Sequence, residues 1–211
     1  MSALRASAAP LFLAPLRTEA LAVRRGARGG EVIRIGMGPV RATAARTRLE
    51  RSSGEFPIVL LGFAGALSAS LRAGDLVVAS ACLSSDGDDP VLLPDAPSVA
   101  KLLGSATLPG AIHLGPVLST PRVLRGAKAR ADAGARGAIA VDMESRWCAP
   151  LSRTHPFVVV RAVVDVPGHD VVSMATPMAT WKAVRSLAAA TSVLCNWSPI
   201  ALDDDCKVGD H

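Results

Sequence analysis

Apolar residues in this chain fall into short runs, rich in Val, Ile and Leu, that alternate with stretches of helical spacing. Leu11-Phe-Leu-Ala-Pro15 predicts a first strand, and Leu16 to Arg24 a turn into a helix with Glu19 near its start. After a Gly26–Gly30 loop, Glu31-Val-Ile-Arg-Ile-Gly36 alternates as a strand does, and Met37-Gly-Pro39 turns the chain into a helix from Val40 to Arg51. Pro57-Ile-Val-Leu-Leu61 has the unbroken apolarity of a strand inside a parallel sheet. It runs into Gly62-Phe-Ala-Gly-Ala-Leu67, which reads as a small-residue turn. Such a turn either offers N–H groups to an anion or a sugar, or serves tight packing of strand on helix.

Farther on, Asp75 sits in a turn that opens a strand through Ala79, Asp86 to Pro97 reads as a surface loop, and Ala111 to Leu118 as another strand. Ser119-Thr-Pro121 has the form of a helix start, with Thr120 as N-cap and Gly134 as the stop. Two late strands follow, Ile139 to Val141 and Phe157 to Val164. Thr176-Pro177 opens a last helix, on which Trp181, Val184, Ala188, Thr191 and Cys195 share one face and read as core. Six or more strands separated by helical stretches, with no tight hairpin signal, predict an α/β sandwich on a largely parallel sheet.

Composition narrows this. With 211 residues, half of them apolar and 19% charged, the chain can bury a sizeable core. The expectation is one domain over residues 1–198 and a polar, acidic tail over 199–211. A net charge of +5 borne by scattered arginines, with seven aromatics and no Tyr, does not make a nucleic-acid surface. Cys82, Cys148, Cys195 and Cys206 form no C-x-x-C pair, which suits reduced thiols and a cytoplasmic location. No run approaches the roughly 20 apolar residues of a membrane span.

The candidate chemistry lies in carboxylates near strand ends. The run Ile139-Ala-Val141 discharges into Asp142 and Glu144, with Met143 between them, and the run from Phe157 ends on Asp165. Open α/β sheets bind ligands at such ends. Glu19 follows the first strand in a similar way. No His stands at ligand spacing to these acids; His113, His155, His169 and His211 are isolated, so neither a metal nor another cofactor is expected. There is no G-x-S-x-G to support a serine nucleophile. Gly36 and Gly38 allow close backbone approach, but Arg41 occupies the third glycine of a dinucleotide fingerprint. What remains is acid–base work on a polyhydroxylated substrate. Arg161, inside its strand, is expected to pair with a buried acid.

Ile139-Ala-Val-Asp-Met-Glu-Ser145 followed by Phe157-Val-Val-Val-Arg-Ala-Val-Val-Asp165 resembles the nucleoside phosphorylase and methylthioadenosine/S-adenosylhomocysteine nucleosidase superfamily. Ile35-Gly-Met-Gly-Pro39 and Gly62-Phe-Ala-Gly-Ala-Leu67 through Gly74-Asp-Leu-Val-Val78 resemble its earlier segments, in the same order. The resemblance spans about residues 10 to 197 and implies a three-layer α/β/α fold with a central, largely parallel mixed sheet. It implies cleavage of the N-glycosidic bond of a purine nucleoside, with Glu144 on the ribose hydroxyls and Met143 against the sugar. Asp165 would be the general acid at purine N7, which needs a carboxyl raised by burial or a nearby negative charge. Glu19 would be the base that activates water. Gly36, Gly38, Gly62 and Gly65 would form the sugar- or phosphate-binding turns, supported by Asp142, Arg161 and Phe63, in a homo-oligomer. Departures are Asp142 for the first glutamate of E-M-E, Val164 for the serine before the catalytic Asp, Phe63 and Ala66 in the glycine segment, and no base-stacking aromatic in Ser119–Leu124. Phe63 and the other added apolar residues suit a lipid-like 5′ substituent, as in the adenosylhopane-cleaving branch of hopanoid biosynthesis. Hydrolysis is narrowly favoured. Phosphorolysis, with Arg17 and Arg41 among the phosphate donors, is the alternative, and a nucleoside-binding sensor or carrier without turnover is the reading of another class.

Overall fold

The structure is a computed structural model that describes residues 9–52, 56–165 and 177–199. Its elements run β1 (Leu11–Ala14), α1 (Arg17–Gly26), β2 (Val32–Arg34), α2 (Pro39–Glu50), β3 (Ile58–Ala66), β4 (Leu76–Ser84), β5 (Val91–Leu92), α3 (Ala96–Gly104), β6 (Ile112–Ser119), α4 (Ala127–Gly134), β7 (Ala140–Asp142), α5 (Ser145–Cys148), β8 (Phe157–Asp165) and α6 (Pro177–Leu194). A 3-10 turn over Ala149–Arg153 leads from α5 toward β8. The fold is α/β with a central mixed sheet, as the alternation of apolar runs and helical spacing predicts.

The eight strands follow the order β2-β1-β3-β7-β6-β4-β5, and β8 pairs with both β3 and β4. Strands β3, β7, β6, β4 and β8 therefore close a ring, with β2-β1 and β5 as extensions. Pairing is parallel for β1 with β2 and β3, β3 with β8, and β6 with β4 and β7. It is antiparallel for β3 with β7, and for β4 with β5 and β8. The β-branched run Val158-Val-Val160 lies in β8, the strand that closes this ring, and is fully buried, because both faces of β8 are covered. Helix α6 packs on β8 and α1 through Ala183, Leu187, Ala190 and Leu194, all at 0% exposure. Burial of a side chain the size of Leu187 contributes about 1.5–3 kcal/mol.

Several local expectations are corrected. Gly62 to Ala66 are not a turn: they continue β3. The chain then enters β4 without an intervening helix. Thr120 does not cap a helix, because its N–H bonds Asp142 O beyond the β6–β7 ladder and its Oγ1 donates to Arg122 O. Helix α4 starts only after Gly126, whose φ of 84° breaks the chain direction. Within Asp86–Pro97 lie β5 and the start of α3, a helix the apolar pattern did not reveal. The face of α6 that packs is rotated from the stripe through Trp181, which is 52% exposed. The tail from Ile200 onward, with Cys206 and His211, and the segment carrying His169 and Thr176 lie outside the described residues.

Candidate active site

The C-terminal ends of β3, β7 and β8 converge, because β3 pairs β8 along its length and takes β7 at its last two residues. The turn from β1 into α1 closes one side of this region. A cavity of about 250 Å³ opens there, walled by Glu19, Phe63, Gly65, Met143, Glu144 and Asp165 among others. Carboxylates from three separate parts of the sequence thus meet on one cavity.

Glu19 sits at the third position of α1 and is 2% exposed. Its Oε2 accepts the N–H of Leu16 at 2.5 Å, satisfying an orphan donor at the helix start. Its Oε1 accepts the N–H of Phe63 at 2.7 Å, so one carboxyl ties α1 to β3. Burial pushes its pKa up to about 7; Arg161 and the two N–H donors oppose this without cancelling it, and Glu144 adds to it.

Arg161 is fully buried on β8, in register with Gly62 of β3. Its Nη2 lies 2.6 Å from Asp142 Oδ2 and 3.7 Å from Glu144 Oε2, and its Nε and Nη2 donate to Ser145 Oγ at 3.2 and 2.9 Å. Burial alone discourages its charge. Asp142, Glu144 and Glu19 outweigh that and hold it more firmly protonated than usual. Asp142 is also held by Ser119 Oγ at 2.5 Å, by the Ser145 hydroxyl, and by the Ser145 N–H at 3.2 Å. Glu144, just beyond β7, accepts the Gly38 N–H at 2.9 Å. Its carboxyl is raised by burial, against the pull of Arg161, with Asp142 adding to the rise.

The glycines shape these contacts, and two of them border the cavities. A Cβ on Gly62 would overlap Arg161 Nη1 and sit 3.0 Å from Glu19 Oε1, so only glycine lets the guanidinium lie against β3. Gly38, at φ 87°, directs its N–H to Glu144. Gly65 lines the cavity, whereas Gly36 borders an adjoining pocket of about 510 Å³ with Arg17, Arg34 and Arg41. Among the described residues, no three His, Cys, Asp or Glu side chains gather as a metal site.

Asp165 ends β8 opposite Gly65, after a register shift that leaves Val164 as an extra residue. Such a bulge re-aims the side chain that follows it. The carboxyl is paired with Arg130 of α4, where the sequence-based expectation was burial or a neighbouring negative charge. Arg130 is 8% exposed, lines the cavity, and donates from Nη1 to Ala66 O at 3.3 Å. Sequence reasoning missed Arg130, Ser119 and Ser145. Ser145 follows Glu144 directly and Ser119 ends the strand in register with Asp142, so both had a positional signal. Arg130 had none. Thr120, Val123 and Leu124, from the Ser119–Leu124 stretch in which the sequence offers no aromatic, line the wall.

A mixed, ring-closing sheet flanked by helices, with buried carboxyls at the end of β7 and a half-buried one at the end of β8, defines a nucleoside phosphorylase-like α/β protein. A profile of the phosphorylase superfamily matches residues 19–195, and the chain belongs to that family. Among solved structures it is similar to a 5′-methylthioadenosine/S-adenosylhomocysteine nucleosidase from Neisseria meningitidis in complex with methylthio-immucillin-A. The TM-score is 0.74 at 19% identity, over 88% of this chain and 98% of that one. The corresponding nucleosidase from Colwellia psychrerythraea, in complex with adenine, gives 0.67 at 20% identity over 88% and 93%. Futalosine hydrolase of Helicobacter pylori gives 0.67 at 17% over the same shares. These likenesses are of fold. Among curated proteins, none matched the chain. No helix among the described residues is long and apolar enough to cross a membrane.

Proposed function

We propose that this protein cleaves the N-glycosidic bond of a purine nucleoside of the adenosyl type, by hydrolysis. The observation that carries this reading is the meeting of Glu19, Glu144 and Asp165 on one cavity. Glu144 accepts hydrogen bonds from the ribose hydroxyls, and its charge favours the positive sugar that forms as C1′–N9 breaks. Met143 lies against the sugar. Asp165 gives a proton to N7, so that the base leaves neutral. Glu19 takes the proton of the attacking water, and a carboxyl raised to about 7 is poised for that at neutral pH. Its inward position favours water over phosphate, because an ionised Glu19 would repel a phosphate anion a few ångströms away by on the order of 1–4 kcal/mol.

Phosphorolysis is the second reading, and the adjoining pocket lined by Arg17, Arg34 and Arg41 is the observation in its favour. The 5′ substituent we assign is apolar and hopane-like, since Phe63, Met37, Val123 and Leu124 line the cavity and Met37 and Val123 remain half-exposed. The deciding assay is release of free adenine from 5′-substituted adenosines, with and without phosphate. Release in phosphate-free buffer, lost in Glu19→Gln, is expected. Release only with phosphate, yielding ribose 1-phosphate, overturns hydrolysis. Binding without release makes the protein a nucleoside sensor or carrier.

A further inference from the structure

A second cleft, of about 330 Å³, lies where the turn into β4 and the segment ahead of β6 meet the first half of α6. None of its described walls belongs to the cavity of Glu19, Glu144 and Asp165. Its size falls in the range of small-ligand sites. Two glycines let the three segments close up. A Cβ on Gly110 would overlap the Gly74 carbonyl, and one on Gly74, at φ 96°, would stand 3.0 Å from Lys182 Cβ.

The cleft is basic, and its charge is not compensated from within. Arg72, Lys182 and Arg185 line it, and none of the three has a carboxylate partner among the described residues. The one acid among its described walls, Asp75, is already engaged. It accepts the N–H groups of Arg72 and Ala111 at 2.9 and 3.1 Å and faces His113 Nε2 at 3.1 Å. Ser186, on the α6 side, is 0% exposed and its hydroxyl has no hydrogen-bond partner. That hydroxyl lies toward Gly74, 3.8 Å from where a Cβ would stand. A buried donor left unpaired calls for a partner that the protein itself does not supply. At the rim the Trp181 ring is 52% exposed, and Arg185 Cζ sits 4.6 Å from its centroid. The ring thus holds the guanidinium in place, while its N–H donors remain available to an anion.

We propose that this cleft is a second ligand site, separate from the candidate catalytic cavity, and that it takes a phosphate monoester whose organic part is flat and apolar. A phosphate group presents three acceptor oxygens in different directions, which suits cations arriving from two segments and a hydroxyl from a third position. A carboxylate presents only two, in one plane. The organic part lies against Trp181, the exposed aromatic surface at the rim. The assignment stands independently of the nucleosidase reading, since it uses none of the same residues.

The test is calorimetric titration of the intact chain with phenyl phosphate and with inorganic phosphate. Phenyl phosphate should bind saturably, and inorganic phosphate roughly 2–10-fold more weakly for want of the Trp181 contact. Lys182→Gln and Arg185→Gln, both at exposed side chains, should each weaken phenyl phosphate by roughly 10-fold. Ser186→Ala should weaken it by roughly 5-fold yet melt no lower than wild type, because it removes a hydroxyl that the fold leaves unpaired. A lower melt with unchanged affinity makes Ser186 a packing residue and overturns the proposal. Arg41→Gln, in the basic pocket beside the catalytic cavity, should leave the affinity as it is. If that variant abolishes binding and Lys182→Gln does not, the phosphate sits in the other pocket and the proposal falls. Equal affinity for the two probes, failure to saturate, or uptake that none of the variants alters (an adventitious ion only) overturns it as well.

Discussion

Glu19 makes the fold pH-dependent in a direction opposite to that of an ordinary salt-bridged acid. Its carboxyl is raised from 4.5 to about 7 in the folded protein, chiefly by burial. The folded state therefore holds this proton more tightly than the unfolded chain. The Glu19 contribution is most favourable below about pH 4.5, declines as pH rises toward 7, and is flat above that. A rise of this size corresponds to about 3 kcal/mol. Glu19→Gln keeps the shape and removes the titration. The amide supplies one acceptor, so either the Leu16 or the Phe63 N–H faces an NH₂ group, at a pH-independent cost of about 1–3 kcal/mol.

The measurable quantity is the difference in unfolding free energy between wild type and Glu19→Gln, from urea titrations at intervals between pH 4.5 and 8. Groups common to both proteins cancel in that difference. Near pH 4.5 the wild type should be the more stable, and by pH 8 the balance should have moved toward the glutamine variant by about 3 kcal/mol. A difference constant to within about 0.5 kcal/mol across that range would falsify the burial argument. A movement in the opposite sense would mean that Arg161 and the N–H donors, not desolvation, dominate the Glu19 site.

Asp165→Asn keeps the shape of the proposed acid without its proton, so purine release should fall by roughly 10²–10⁴ while ligand affinity largely survives; undiminished turnover removes Asp165 from the chemistry. Glu144→Gln should weaken binding of ribosides far more than binding of free adenine, and calorimetry showing equal losses would assign Glu144 a structural role. Gly62→Ala should destabilise the protein by about 1–3 kcal/mol, because its methyl overlaps Arg161 Nη1. A thermal melt indistinguishable from wild type would show that Arg161 has room to move.

The late carboxylates were legible because they follow apolar runs directly, and β7 and β8 end where those runs end. Glu19 was legible as an acid at a helix start. The extension of β3 was not. Glycine ordinarily weakens a strand, so Gly62 and Gly65 read as punctuation. In the folded chain Gly62 is glycine because a guanidinium from β8 must lie against it. The closing of the ring was hidden for a different reason: it depends on β8 pairing β3 in one direction and β4 in the other, and spacing along the chain carries no such information. Arg130 was invisible on an Ala-rich helix half of whose residues are exposed, because its partner Asp165 lies 35 residues away and is aimed by a bulge. Trp181 misled in the other direction. A large aromatic at helical spacing reads as core, yet Ala183, Leu187, Ala190 and Leu194 form the packed face.

Asp142 and Glu144 stand two residues apart beside the same guanidinium, and hydrogen-bond accounting separates their roles. A carboxylate has about four acceptor sites. Those of Asp142 are taken up by Ser119 Oγ, the Ser145 hydroxyl and N–H, and Arg161 Nη2. Little acceptor capacity remains for a ligand, and what Asp142 does is fix Arg161. Glu144 accepts the Gly38 N–H, and Arg161 at 3.7 Å is beyond hydrogen-bond length, so acceptor capacity is left on the cavity side. Two adjacent hydroxyls on one face of a sugar can fill it. The same incomplete pairing leaves Glu144 in a buried setting that disfavours its charge, and a positive sugar beside it would relieve that imbalance at the moment the glycosidic bond breaks. Asp142 therefore acts by holding Arg161 in place, which keeps Glu144 both buried and under-satisfied.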